Sequence, residues 1–156
     1  MFNIFGFYKF INITKLKKHK QDLQLFMVEN EVRGALIIAK EGLNGTISGK
    51  KIATTLFEKK ILKQFNFKDF DSRNNSLCKF QPFHKAKVKI KKEVVPFGLN
   101  LDKKNKKKSV YVEPDKWNEL IKKTHTLLID ARKPFEHKVG TFSGASNPNV
   151  KNFRDF

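Results

Sequence analysis
The alternation of apolar and polar positions divides the chain into short segments with distinct periods. Residues 2–13 are apolar and aromatic with polar breaks, and predict a first strand. Thr14 suits the N-cap of a helix. Behind it Leu16, Leu23, Phe26 and Met27 recur near helical spacing, while Lys15, Lys17, Lys18, Lys20 and Gln24 fall mostly elsewhere. That pattern predicts an amphipathic helix to about residue 30, its apolar stripe facing the core. Residues 32–39 read as a strand buried on both faces. Residues 40–45 predict a turn built on Asn44-Gly45, the pair that tolerates positive φ in a tight hairpin. Thr46-Ile47-Ser48 then returns as a strand closed by Gly49. Over residues 50–63, Ile52, Ala53, Leu56, Phe57 and Ile61 share one side of a second amphipathic helix. Residues 65–75 read as a connection and residues 77–80 as a short extended piece. Residues 86–95 place Val88, Ile90 and Val94-Val95 among lysines, as in an edge strand with one wet face.

The order β-α-β-β-α-β matches a ferredoxin-like split βαβ sandwich, an α+β fold, over residues 1–98. Residues 99–109 are Lys-rich, carry apolar side chains only at Leu99 and Leu101, repel one another, and read as a mobile linker. Pro114 then opens a short helix in which Trp117, Leu120 and Ile121 share a face. Residues 127–129 read as a short buried strand that delivers Asp130 and Arg132 at its C-terminal edge, where open α/β sheets carry their sites. Pro134 suits the start of a helix or turn, and Gly140 and Gly144 permit a tight path towards another strand.

Composition sharpens this outline. The 16 phenylalanines are enough for a modest core and argue against global disorder. No apolar run approaches the ~20 residues of a membrane span, and the first residues lack the pattern of a secretory signal. Cys78 stands alone, so no internal disulfide forms, and a reducing cytoplasm fits. The net charge of +18 makes nucleic acid the first partner to consider. Arginine occurs only at positions 33, 73, 132 and 154, however, and lysine is a hydrated point charge rather than a reader of bases. Charge alone leaves RNA contact and a merely solvated surface both open.

Few motifs carry chemistry. The glycines of residues 42–49 fit a backbone-amide phosphate cradle or a plain hairpin, and the hairpin needs fewer assumptions. Cys78 sits in an extended piece with only Lys79 to activate it, and reads as structural. His19, His84, His125 and His137 lack metal-ligand spacing, so no metal or other cofactor is evident. His84 and Lys85 beside Phe83, followed by Lys87, Lys89 and Lys91, form the candidate RNA-contacting run.

A resemblance covers most of the chain. Asp130-Ala131-Arg132, Glu136, Gly140-Thr141-Phe142-Ser143-Gly144-Ala145, Asn147-Pro148 and Phe153-Arg154-Asp155-Phe156 resemble the opening of a rhodanese domain. More narrowly, they resemble the rhodanese-related family of bacterial tRNA uridine hydroxylases. Upstream, the matching stretches are Glu41 to Gly49, Phe83, Lys87-Val88-Lys89, Lys92-Glu93-Val94-Val95, Tyr111-Val112-Glu113-Pro114 and Trp117. The resemblance implies an acylphosphatase-like N-terminal domain ahead of a rhodanese domain. It also implies oxygen-dependent 5-hydroxylation of the wobble uridine of tRNA, with a catalytic cysteine in a loop after a later strand. Acylphosphatase chemistry itself is not expected, because residues 10–14 lack the glycines and arginine of that phosphate loop. Asp130, Arg132 and Glu136 would brace the sheet edge around the cysteine loop. The sequence stops at Phe156, before such a loop, so the expectation is a truncated rhodanese start over residues 110–156, loosely docked or poorly ordered, in a chain inactive by itself. A second chain completing the domain is the less favoured expectation. Two other readings remain: a non-catalytic RNA-binding or interaction module, and a rhodanese-type sulfurtransferase completed by a downstream chain.

Overall fold
The computed structural model describes residues 1–95, 110–152 and 155–156. They fall into two compact units divided between Val95 and Pro96. The expected linker lies outside the described residues, as do Phe153 and Arg154.

In the first unit the elements are β1 (Phe2–Phe10), α1 (Leu16–Glu29), β2 (Arg33–Ala39), β3 (Gly42–Gly49), α2 (Lys51–Phe65), β4 (Ser72–Cys78) and β5 (Ala86–Ile90). The strands form one sheet in the order β4-β1-β3-β2-β5. β1 runs antiparallel to β3 and β4, β2 antiparallel to β3, and β5 parallel to β2. The first four strands and two helices make the expected βαββαβ sandwich. Its last strand is β4, however, while residues 86–90 add a fifth strand at the opposite edge.

One sheet face and two helices enclose the core. Strand alternation sends Phe5, Phe7, Leu36, Ile38, Leu43, Ile47 and Val88 inward, where they meet Leu23 and Met27 of α1 and Phe57 and Ile61 of α2. Phe5 and Phe7 stack at 4.7 Å, and Phe70 meets Phe5 edge-on at 5.5 Å.

Local rules misled at four places. Thr14 is not the cap of α1: the N-cap is Lys15, at φ 50°, with no side-chain capping bond. β2 is buried on both faces only at its end: on the outer face Arg33 and Ala35 are exposed, Ile37 is half-buried and Ala39 alone is buried. Asn44-Gly45 is not the hairpin turn. Both lie within β3, Asn44 between Tyr8 and Ile37 and Gly45 between Phe7 and Leu36. The chain reverses at Lys40-Glu41, with Gly42 taking φ 155° against the Lys9 carbonyl. The buried face of α2 carries Thr54, Phe57, Ile61 and Phe65, whereas Ile52 and Leu56 are exposed. Thr54 is admitted because its hydroxyl accepts from Asn3 Nδ2 at 3.0 Å and donates to the Lys51 carbonyl at 3.0 Å.

The second unit contains α3 (Pro114–Ile121) and α4 (Pro134–Val139), each with proline in its first turn. The strand expected at residues 127–129 is reduced to a single parallel bridge between Ile129 and Ser146. Leu127 and Ile129 are exposed, and none of the unit's described residues is buried. Among the described residues, no helix is long and apolar enough to cross a membrane.

Candidate functional sites
The sheet face turned away from the helices carries a basic cleft. Ala35 and Ile37 of β2 and Asn44 and Thr46 of β3 form part of its lining. Phe83, His84 and Lys85, from the segment entering β5, line it too, as does Lys87 of β5 itself. The cleft measures about 590 Å³. Strand alternation explains the composition: Val88 turns into the core, so Lys87 and Lys89 turn to the open face. β5 is fixed from both sides. The Gly34 N–H donates to the Lys85 carbonyl at 2.8 Å. On the outer side the Gln24 amide of α1 donates to the Ala86 carbonyl at 2.9 Å and accepts from the Val88 N–H at 2.8 Å.

Of the candidate RNA-contacting residues, His84, Lys85 and Lys87 meet in this cleft. Lys89 lies further along the same face, opposite Ile37, and Lys91 follows the strand, its N–H donating to the Ile38 carbonyl at 3.0 Å. Asn44, Thr46 and Ile37 were missed as lining residues, because only the strand register brings them beside Lys87.

A second basic concavity surrounds the β1–α1 junction. It is lined by Lys15, Lys17 and Lys18 together with Lys40, brought there by the bond from the Ile13 N–H to the Lys40 carbonyl at 2.8 Å. The phosphate cradle considered for residues 42–49 is overturned. That segment is an interior strand whose backbone pairs with β1 on one side and β2 on the other.

In the second unit Asp130 is the hub. Arg132 donates from Nε to Oδ1 at 2.9 Å and from its Nη2 to Oδ2 at 2.7 Å, and Thr141 Oγ1 donates to Oδ2 at 2.8 Å. These partners cover all but 9% of the Asp130 side chain, although no apolar core surrounds it. The Arg132 hydrogen bonds hold the Asp130 carboxyl well below the usual carboxylate range, and they raise the pKa of Arg132 in return. Arg132 also donates to the Gly140 carbonyl at 2.6 Å. Asn147 donates to the carbonyls of Asp130 and Arg132, each at 2.8 Å. Glu136 reaches the hub through its charge, which helps raise the pKa of Arg132, while its carboxylate accepts from the Lys133 N–H at the start of α4, at 3.2 Å. A concavity of about 490 Å³ lies between this network and the Trp117–Phe142 ring pair, whose centroids are 5.3 Å apart. The part played by Asn147 was missed, since its two bonds depend on the path between Gly140 and Pro148.

Cys78, His19 and His137 lie outside the lining of the β5 cleft. Cys78 ends β4, half-buried opposite Phe2. His19 packs on Phe65 and shares a 2.8 Å bond with Gln64 Nε2; burial lowers its pKa. His137 Nε2 lies 3.3 Å from the Ala145 carbonyl.

Residues 2–94, the whole sandwich with β5 and the basic cleft, match the family described as UPF0176 acylphosphatase like domain. The chain belongs to that family. Within the UPF0176 group the similarity runs beyond the sandwich: all 156 residues align at 56% identity with the tRNA uridine(34) hydroxylase of Pelagibacter ubique (strain HTCC1062), covering 100% of this chain and 52% of that protein. The chain thus spans about half the length of the curated relative it matches. Among solved structures, acylphosphatase from Bacillus subtilis superposes with TM-score 0.41 at 9% identity, over 56% of this chain and 97% of that one. A bacterial light-regulated adenylyl cyclase reaches 0.46 at 11%, over 59% and 28%. These scores are low, and the UPF0176 fold assignment rests on the family match and the strand order.

Proposed function
We propose that this chain is the N-terminal part of a tRNA uridine hydroxylase and supplies a surface that holds tRNA during oxygen-dependent 5-hydroxylation of uridine 34. The observation that carries this reading is the 56% identity over all 156 residues with a protein named for that activity. Charge supports it. Lys79, Lys85, Lys87, Lys89, Lys91 and Lys92 follow one another with no acidic residue among them, on and around an edge strand whose lysines face solvent. Such a surface attracts phosphate by releasing counterions. A tRNA-modifying role also implies a cytoplasmic protein. The second unit is read as the start of a rhodanese-like domain, with Asp130, Arg132 and Asn147 fastening its turns. The one thiol in the sequence, Cys78, caps a strand of the sandwich and is given no role in hydroxylation.

Two measurements test this together. In gel shifts the chain binds unmodified tRNA, and affinity falls at least about tenfold between low and physiological salt. Nucleoside mass spectrometry of the same tRNA detects no 5-hydroxyuridine from these residues alone. Absent or salt-insensitive binding would overturn the tRNA-holding role. Turnover by the chain unaided would overturn the division of labour.

A further inference from the structure
The geometry points to a nucleotide-binding subsite in the cleft between β5 and the open face of β2 and β3, built to receive an unpaired RNA base with its flanking phosphates. This deepens the reading above and rests on it. Three kinds of group line one concavity. Phe83 and His84 are flat rings at the entrance to β5; Asn44 and Thr46 are polar side chains on β3; Lys85 and Lys87 are cations along the rim. An unpaired base needs those three classes of contact: a π-face to stack on, donors and acceptors for its edge, and positive charge for its phosphates.

The cleft is preformed. Its floor is the sheet itself, where Gly34 holds φ 129° with Thr46 O so close that a Cβ would collide with it. Its wall is β5, held on one edge by β2 and on the other by Gln24. Asn44 and Thr46 point to the open side because Leu43, Gly45 and Ile47 point to the core, and Ile37 supplies an apolar patch between them and β5. A duplex keeps its bases stacked inward and offers no face to Phe83. The subsite therefore selects single-stranded RNA over double-stranded RNA, a distinction that a plain basic surface does not make.

The test uses the full chain and fluorescence anisotropy. The probes are a labelled oligouridylate and the same strand annealed to oligoadenylate. The expected result is tighter binding of the single strand. Phe83→Ala and Asn44→Ala each weaken it about fivefold or more while leaving the salt slope unchanged. Lys85→Ala and Lys87→Ala instead lower that slope by about one each. Because Phe83 is half-buried, Phe83→Trp provides a check independent of folding losses: its added fluorescence is quenched by oligouridylate and not by the duplex. Equal affinity for both probes, with the ring and amide variants behaving like wild type while the lysine variants weaken binding, would overturn the subsite and leave tRNA holding intact. Failure to bind either probe or tRNA at low salt would overturn both.

Discussion

The two units solve the same problem by different means. The first encloses Phe5, Leu23, Met27, Leu36, Ile38, Leu43, Ile47, Phe57 and Ile61 almost completely. The second has no buried residue among those described, and leaves Leu127, Phe135, Val139 and Phe142 open to solvent. What holds its turns is polar: a carboxylate with two side-chain partners, and an asparagine spanning two carbonyls. Burial removes apolar area from water with nothing competing for the contact. Exposed hydrogen bonds exchange with water, and each nets about 1 kcal/mol. The contrast therefore predicts unequal stability within one polypeptide.

The largest effect should appear in limited proteolysis. The second unit is cleaved first, about tenfold faster or more, leaving a resistant fragment that ends near Val95. Equal resistance of both units, read by mass spectrometry over a time course, would break the comparison. Next comes Phe57→Ala, which removes a ring from the centre of the core and costs the first unit about 3–5 kcal/mol in urea denaturation. Amide exchange in the second unit stays unchanged. Gly34→Ala follows, at about 1–3 kcal/mol, because alanine at φ 129° is strained and its Cβ meets the Thr46 carbonyl.

The smallest and most local effect belongs to Asp130→Asn. It leaves the melting of the first unit untouched and accelerates amide exchange at Asp130 and Ser146, whose N–H groups form the bridge beside the hub. Acid should mimic it in the wild-type chain. The folded pKa of Asp130 lies below the ordinary value of 3.8, so its contribution is complete above that value and is lost as pH falls towards the lower folded one. Exchange at those amides that already rises between neutral pH and 5, after correction for intrinsic rates, would contradict the assignment.

The difference between the units also governs what could be read from sequence. Long periodic segments survive into the structure: the α1 stripe with Leu23 and Met27, and the Lys87-Val88-Lys89 alternation of β5. Periodicity located α2 but misassigned part of its buried face, since the buried Thr54 looks polar until Asn3 of β1 is seen to satisfy it. The Asn44-Gly45 pair misled because turn preference is a local property, whereas a strand held between two neighbours is a collective one. The basic run of residues 84–91 was legible as chemistry, but its cleft was not, because Asn44 and Thr46 arrive only through β2. In the second unit Asp130 and Arg132 were legible as a pair. The contact of Trp117 with Phe142 and the two bonds of Asn147 were not, because both join segments with no shared period.

The amide of Gln24 has one more effect. Ala86 and Val88 turn a carbonyl and an N–H to the outer rim of β5, where a foreign strand would seek its partners; a side chain of the protein's own helix has already taken both. At the opposite rim β4 presents Ser72, Arg73, Asn74, Asn75 and Ser76, a sequence with little appetite for sheet. A molecule whose phenylalanines could feed aggregation is thereby kept from zipping to its copies along β5, and the lysines of that strand stay open to solvent.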